Sequence, residues 1–305
     1  MQMNKPVVFS GFDGISGGRI ALERAGITPS LYYSSELLRI NGKLNPAIRI
    51  TTANYPDTIL LNDICRIDGW AFRGLVDIFL GGSPCQSFSN AGIRNGFHGT
   101  SKLFFEWLRL KNIIQPKYWL LENVVMKKEW QNMISKYLGV EPIFINSSVA
   151  SGQSRPRLYW TNIPYTPIED KGILLGDVVL GGITGAGKHG KAIPEHLRIP
   201  GGNKWRNNGW EFNPNNKSYC LTTTRGQYKN IQGNVVGYTP EDSEALQTLP
   251  IGYTNVPGIS NTERFKAIGN GWTVDVLVLA FFKNLPWSSD KNHAGIYSTH
   301  GYKRS

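Results

Sequence analysis

The sequence predicts an α/β fold: a doubly wound, Rossmann-like sheet joined to a small, loop-rich second region. Three observations predict it. Short apolar runs alternate with helical patterns, as βαβ units do. Several of those runs end on a carboxylate or a thiol, where open α/β sheets gather their chemistry. From about Tyr165 the character changes: Gly, Asn, Pro and basic residues dominate and strands become doubtful.

The chain has 305 residues, enough for one large domain with an insertion or for two unequal domains. Hydrophobic residues make up 40%, with 9 Trp, 13 Tyr and 13 Phe, which excludes a disordered chain. A net charge of +11 points to a polyanionic partner, nucleic acid first. The longest apolar candidate, Val274 to Phe282, is short and holds Asp275, so no membrane span is expected; no signal peptide is indicated either. The three cysteines, Cys65, Cys85 and Cys220, are far apart and form no Cys-x-x-Cys pair. That argues against a disulfide framework or a zinc site and for a reducing cytosol, with no metal expected.

Pro6–Ser10 is a short strand, followed by Gly11-Phe12-Asp13-Gly14-Ile15-Ser16-Gly17-Gly18 and a helix over Arg19–Gly26. Strand, glycine-rich turn and helix bring backbone close to a nucleotide-like ligand. The glycine spacing is not the dinucleotide pattern, and Asp13 would repel a pyrophosphate; a cationic centre or ribose hydroxyls suit it better. Leu31–Glu36 is a second strand, and Glu36 lies where ribose-binding acids lie in nucleotide-binding sheets. Ile59–Ile64 is a third, ending near Asp63. Leu75–Leu80 then runs into Gly81-Gly82-Ser83-Pro84-Cys85-Gln86, a buried strand with a tight turn that presents one thiol.

Ser87 to Thr100 is polar, carries three glycines and reads as a lid. Ser101–Leu110 has helical periodicity, and the strand Tyr118–Leu121 leads to Glu122-Asn123-Val124-Val125. After a strand over Pro142–Ser147 comes Gln153-Ser154-Arg155-Pro156-Arg157. Two arginines at i and i+2 of an extended segment face one way, to clamp a phosphate, to pair with Glu122, or else to lie as plain surface residues. Lys188 to Lys229 carries eight Lys/Arg against two Glu, +6 of the whole charge, and reads as a nucleic-acid surface or else a solvated basic insertion. Thr239 and Pro240 open a helix, Thr262–Ala267 starts another, and Gly269-Asn270-Gly271-Trp272 precedes the apolar helix Thr273–Phe282.

In this order the segments resemble the cytosine-5 DNA methyltransferase family, bacterial and phage type. Phe12-Asp13-Gly14-Ile15 resembles its S-adenosylmethionine turn and Ser83-Pro84-Cys85-Gln86 its nucleophile loop. Leu121-Glu122-Asn123-Val124 resembles its Glu-Asn-Val motif, Gln153-x-Arg155-x-Arg157 its paired arginines and Gly269-Asn270 its closing motif. Phe12–Ile15, Lys102–Glu106 and Glu122–Val125 are also similar to the animal de novo enzymes. Gly99-Thr100-Ser101-Lys102 departs from that family's Asp-Ser-Arg-Gly.

The resemblance implies a Rossmann-like S-adenosylmethionine-dependent catalytic domain over 1–164 and 236–305, interrupted by a target-recognition region at 165–235. It implies Cys85 as nucleophile, Glu122, Arg155 and Arg157 as the other catalytic residues, and Gln86, Ser87, Asn123 and Arg225 as substrate contacts. Phe12, Asp13, Gly14, Ile15, Ser16 and Gly17, with Asn270, Gly271 and Trp272, would line the S-adenosylmethionine site. Glu36 would hold the ribose, and Asp63 and Ile64 the adenine. The implied enzyme is a monomer in the cytoplasm of a bacterial cell or phage-infected host. It acts on double-stranded DNA, with or without a cognate restriction endonuclease.

The chemistry suits the residues. A thiolate adding at cytosine carbon 6 makes carbon 5 nucleophilic, a carboxyl at Glu122 meets N3, and an arginine meets O2. The reacting base is stacked in duplex DNA and must be flipped out. Rival readings are a tRNA cytosine-5 methyltransferase sharing these motifs, a catalytically silent DNA-binding homologue, and a folate-using pyrimidine-nucleotide methylase.

Overall fold

A computed structural model of the chain describes residues 4–83, 103–179, 217–223 and 237–296 in full, and the backbone of 183–189, 210–212, 227–231 and 234–236. Two units divide it: residues 1–145, 156–167 and 276–293, and residues 146–155, 168–275 and 294–305. The second unit is larger than the 165–235 region, since it takes in 146–155 and the helices up to Asp275.

The first unit is built on a seven-stranded sheet. In chain order it contains β1 (Val7–Gly11), α1 (Gly17–Arg24), β2 (Leu31–Ser35), the hairpin β3 (Arg39–Ile40) and β4 (Lys43–Leu44), α2 (Pro46–Asn54) and β5 (Ile59–Leu60). Then come β6 (Ile78–Gly82), α3 (Leu103–Ile114), β7 (Tyr118–Val124), α4 (Lys128–Leu138), β8 (Ile143–Asn146) and β9 (Pro156–Thr161). The sheet order is β5-β2-β1-β6-β7-β9-β8. The first five of these neighbours run parallel, and β9 is antiparallel to β7. The chain builds outward from β1 through β2 to β5, then returns to the other side of β1 with β6. The β1–β6 junction is thus the switch point, where such sheets open a crevice beyond their carboxyl ends.

Sequence and burial agree along these strands. Val8, Phe9, Ile78, Phe79 and Leu80 are fully buried, as expected of parallel strands covered on both faces. On α3, Phe104, Trp107, Leu108 and Leu110 form the inward stripe of an amphipathic helix. Asn45 caps α2 by accepting from the Ala47 N–H at 3.0 Å, with Pro46 in the first helical position. Gly139, at φ 73°, closes α4. The strand expected over Ile59–Ile64 is only two residues long, because Asp63 instead caps a 3₁₀ turn over Ile64–Arg66.

The second unit corrects one expectation. Where strands seemed doubtful, the described residues form a four-stranded antiparallel sheet. Its strands are β10 (Ile183–His189), β11 (Trp210–Phe212), β12 (Gln227–Ile231) and β13 (Asn234–Gly237), ordered β11-β10-β12-β13. Segments such as Ile-Thr-Gly-Ala-Gly-Lys-His lack apolar alternation, so backbone pairing holds them without a side-chain signature. The helices here are α5 (Leu175–Val178), α6 (Pro240–Leu246) and α7 (Asn261–Asn270); α8 (Val274–Ala280) begins at the unit boundary. Thr239 and Asp242 form a capping box on α6, as do Ser260 and Glu263 on α7. Helical residues Asn261–Asn284 are long and apolar enough to cross a membrane, but 72% of their apolar window is buried inside the protein, as in a core helix.

Candidate active site at the carboxyl ends of the strands

The turn after β1 is set by backbone strain and by Asp13. Phe12, Gly14 and Ser16 all take left-handed backbone conformations (φ 56°, 58° and 58°). Such conformations in non-glycine residues persist where surrounding contacts enforce them. Asp13, largely buried, supplies those contacts. Its carboxylate accepts from Ser16 Oγ (2.6 Å), Tyr32 OH (2.7 Å) and Ser34 Oγ (2.8 Å). Asp13 therefore shapes the turn from within. The Phe12 N–H donates to the Ser35 carbonyl at 2.8 Å, which ties the turn to β2. Ile15 is buried in the core, and Gly17 opens α1.

Glu36 follows β2. Its Oε2 accepts the Gly14 N–H at 3.1 Å and its Oε1 accepts from Asn45 Nδ2 at 3.1 Å. Burial, reinforced by the nearby charge of Asp13, holds its carboxyl above the usual range. A nucleoside-bearing cofactor fits here. The space above Gly14 is open where a Cβ would point, and Glu36 presents acceptors for ribose hydroxyls beside it. Asp63 works as a cap, its Oδ1 accepting the Cys65 N–H at 3.0 Å, and Ile64 packs into the core.

β6 and β7 are parallel neighbours in the sheet. Glu122 sits within β7 opposite Gly82 of β6 and Tyr159 of β9. It is 9% exposed and pairs with Arg157 Nε at 2.7 Å. Arg157 lies diagonally across the β7–β9 ladder, opposite Val124, which puts both side chains on one face. Asn123, fully buried, donates through Nδ2 to Ser83 Oγ at 3.0 Å and accepts the Val124 N–H at 2.8 Å. It thereby fixes Ser83, two residues before Cys85. Cys85, Gln86, Ser87, the Ser87–Thr100 lid and Arg225 lie outside the described residues.

The two arginines do not act as a parallel pair. In the second unit Arg155, 4% exposed, donates to the carbonyls of Leu221 (3.0 Å), Gly269 (3.0 Å) and Gly271 (2.9 Å). Arg155 precedes β9 rather than continuing it, so the i, i+2 rule for a regular strand does not govern its direction. Gly271 caps α7 after Asn270, and the partly buried Trp272 follows. Gly269 is required here, because a Cβ would collide with the Thr222 carbonyl.

Sequence reasoning missed several supporting residues. Gln247 donates to the Ile268 and Gly271 carbonyls and accepts from Gln153 and Thr273. Lys217 is buried in a cage of the Ser148, Ser151 and Ile173 carbonyls, and burial draws its pKa down. Neither shows any periodicity or spacing that could flag it. Cys65 is exposed and Cys220 is partly buried. Among the described residues no group of three or more His, Cys, Asp or Glu is placed to hold a metal.

A model of the C-5 cytosine-specific DNA methylase family matches residues 8–136. The chain is 36% identical over 115 residues to the type II methyltransferase M.Eco47II of Escherichia coli, a match covering 37% of this chain and 26% of that protein. It is 37% identical over 123 residues to the orphan methyltransferase M.Rho11sI of Bacillus phage rho11s, covering 40% and 24%. The matched part of the chain thus spans about a quarter of the length of these relatives. The methyltransferase EhMeth of Entamoeba histolytica shares its fold, with a TM-score of 0.66 at 16% identity over 91% of this chain and 97% of that one. So does DNMT2 of Spodoptera frugiperda, with a TM-score of 0.58 at 17% identity over 90% and 97%. Over residues 8–136, the segment that carries β1, the turn after it, β6 and β7, the chain is similar to the C-5 cytosine-specific DNA methylase family.

Proposed function

We propose that the protein is a DNA (cytosine-5)-methyltransferase that uses S-adenosylmethionine and acts on a cytosine flipped out of duplex DNA. The observation that carries the reading is the Glu122–Arg157 pair at the end of β7, beside the β6 strand that leads to Cys85. The cofactor supplies an electrophilic methyl group. Phe12 to Gly17 form its turn, Glu36 holds its ribose hydroxyls, and Asp63 and Ile64 meet the adenine. Asn270, Gly271 and Trp272 belong to the cofactor site by family likeness.

The Cys85 thiolate adds to carbon 6 of cytosine, and electron density moves to carbon 5. Glu122 meets N3 of the ring, where charge develops, and Arg157 steadies Glu122 and reaches O2. Asn123, by fixing Ser83, sets the start of the segment that bears Cys85, Gln86 and Ser87. Arg155 contributes by holding the Gly269–Gly271 carbonyls. After methylation a base removes the carbon 5 proton and Cys85 departs as thiolate. The basic residues from Lys188 to Lys229 other than the buried Lys217, with Arg225 among them, form the DNA surface of a target-recognition region at 165–235. Relatives are named both type II and orphan, so the enzyme works beside a cognate restriction endonuclease or alone, as a monomer in the bacterial cytoplasm.

The test is incubation with methyl-labelled S-adenosylmethionine and either mixed-sequence duplex DNA or total tRNA, beside Cys85→Ala. Label in 5-methylcytosine from DNA, absent in the variant, is expected. Label in tRNA alone moves the assignment to RNA. No label in either polymer refutes the enzyme reading.

A further inference from the structure

We propose that Trp107 is a positioning residue that couples the turn after β1 to the nucleophile-bearing end of β6. Its catalytic meaning rests on the function proposed above. Gly11 and Gly81 are register partners on β1 and β6, at the switch point of the sheet. The left-handed turn starts at the residue after Gly11, and Ser83 follows Gly81 by two residues. One indole lies against both glycines. A Cβ at Gly11 would sit 3.2 Å from Trp107 Cδ1, and a Cβ at Gly81 would collide with Trp107 Nε1 and Cδ1. The indole N–H donates to the Leu80 carbonyl at 3.1 Å, one residue before Gly81. The ring itself is fully buried, stacked on Phe79 at 4.9 Å and edge-on to Trp119 at 6.1 Å.

An ordinary core aromatic packs on side chains that can adjust. This one occupies the space two glycines leave empty, so it touches the main chain of two strands directly. Close-packed interiors transmit such displacements because they have little free volume to absorb them. The same helix makes a third connection. Arg109 donates to the Ile64 and Ile67 carbonyls at 3.2 Å each, and Ile64 Cδ1 would lie 3.1 Å from a Cβ at Gly11. Helix α3 therefore braces the β1 turn, the turn beyond β5 and the end of β6 together, and Trp107 is the contact shared by β1 and β6.

Two measurements test this on the full chain. Hydrogen exchange is followed in Trp107→Phe, which keeps an aromatic ring on Phe79 but removes the N–H and the indole bulk. Peptides covering Phe12–Ser16 and Leu80–Ser83 are expected to exchange at least about tenfold faster, while a β9 peptide over Leu158–Trp160 is unchanged. Acceleration of one site peptide only, of neither, or of all three together would overturn the coupling. This readout needs no enzymatic activity, so it stands even if the wild-type protein makes no 5-methylcytosine, a result that would sink the proposed function instead.

The second measurement is a mutant cycle. Gly81→Ala alone is expected to lower the single-turnover rate of methyl transfer at least about thirtyfold and to weaken S-adenosylmethionine binding. Adding Trp107→Leu makes room for the methyl group, and the double variant is expected to return to within about threefold of Trp107→Leu alone. A double variant as impaired as the two single losses multiplied together refutes the shared contact.

Discussion

Replacing Arg155 by methionine separates the two arginines that sequence alone treats as equivalents. Arg155 is 4% exposed and gives its guanidinium to the carbonyls of Leu221, Gly269 and Gly271 at 2.9–3.0 Å. Hydrogen bonds from a charged donor contribute about 1.5–3 kcal/mol each. The Gly271 carbonyl keeps the Gln247 side chain at 3.1 Å, so two acceptors, on Leu221 and Gly269, lose the most. Methionine restores much of the volume but no donor. The expected loss in Arg155→Met is therefore about 3–5 kcal/mol of unfolding free energy, within the range for breaking a buried charged network. Arg155→Lys keeps the charge without the planar fork and is expected to lose about 2 kcal/mol. Urea unfolding of the full chain, followed by tryptophan fluorescence, gives these values from the midpoint at constant slope. The opposite pattern is expected for Arg157→Met: a smaller stability loss, with methyl transfer reduced by at least about a hundredfold. If Arg155→Met costs less than about 1 kcal/mol yet abolishes methyl transfer, Arg155 acts on the base itself and the carbonyl role is wrong.

Three further perturbations follow from the same geometry. Asn123→Ala leaves Ser83 Oγ and the Val124 N–H without their buried partner, and calorimetry should show a loss of about 1–3 kcal/mol together with slower methyl transfer. Gly269→Ala drives a methyl group into the Thr222 carbonyl and should cost about 1–3 kcal/mol or more, whereas Gly176→Ala in α5, which meets nothing within 4 Å, should be neutral or stabilising in the same melts. For Glu36 the folded carboxyl titrates above its unfolded value, so the stability linked to its proton is present below about pH 4.3 and is lost as pH rises through the raised folded value. The stability difference between wild type and Glu36→Gln should accordingly move in the variant's favour on going from pH 4 to pH 8. A difference that does not change with pH contradicts the burial argument.

Much of the first unit was legible in the sequence because its strands are buried on both faces and read as unbroken apolar runs. The runs at Val7, Leu31, Ile78 and Tyr118 all became neighbours in one parallel block, and the residues following them share one rim. The cap at Thr239 was legible for the same local reason, since it bonds a group only three residues away, whereas the caps at Asn45 and Ser260 came from the structure. The four-stranded sheet of the second unit was not, because glycine- and lysine-bearing strands such as β10 are held by main-chain pairing with partners distant in sequence. At the candidate site the sequence showed which residue types were available but not what each would face.

By itself, then, the sequence determined the order of the main apolar strands of the first unit, the glycine-rich turn and the position of Glu122 on its strand, because these depend on periodicity and near neighbours. Only the tertiary structure decided how the charged groups were shared. It turned Asp13 inward onto three hydroxyls, gave Arg157 to Glu122 and Arg155 to three carbonyls, and set one indole beneath two glycines that are 70 residues apart. The physical reason is that a buried polar group must find a partner wherever the folded chain supplies one, and that partner is chosen by space rather than by sequence distance.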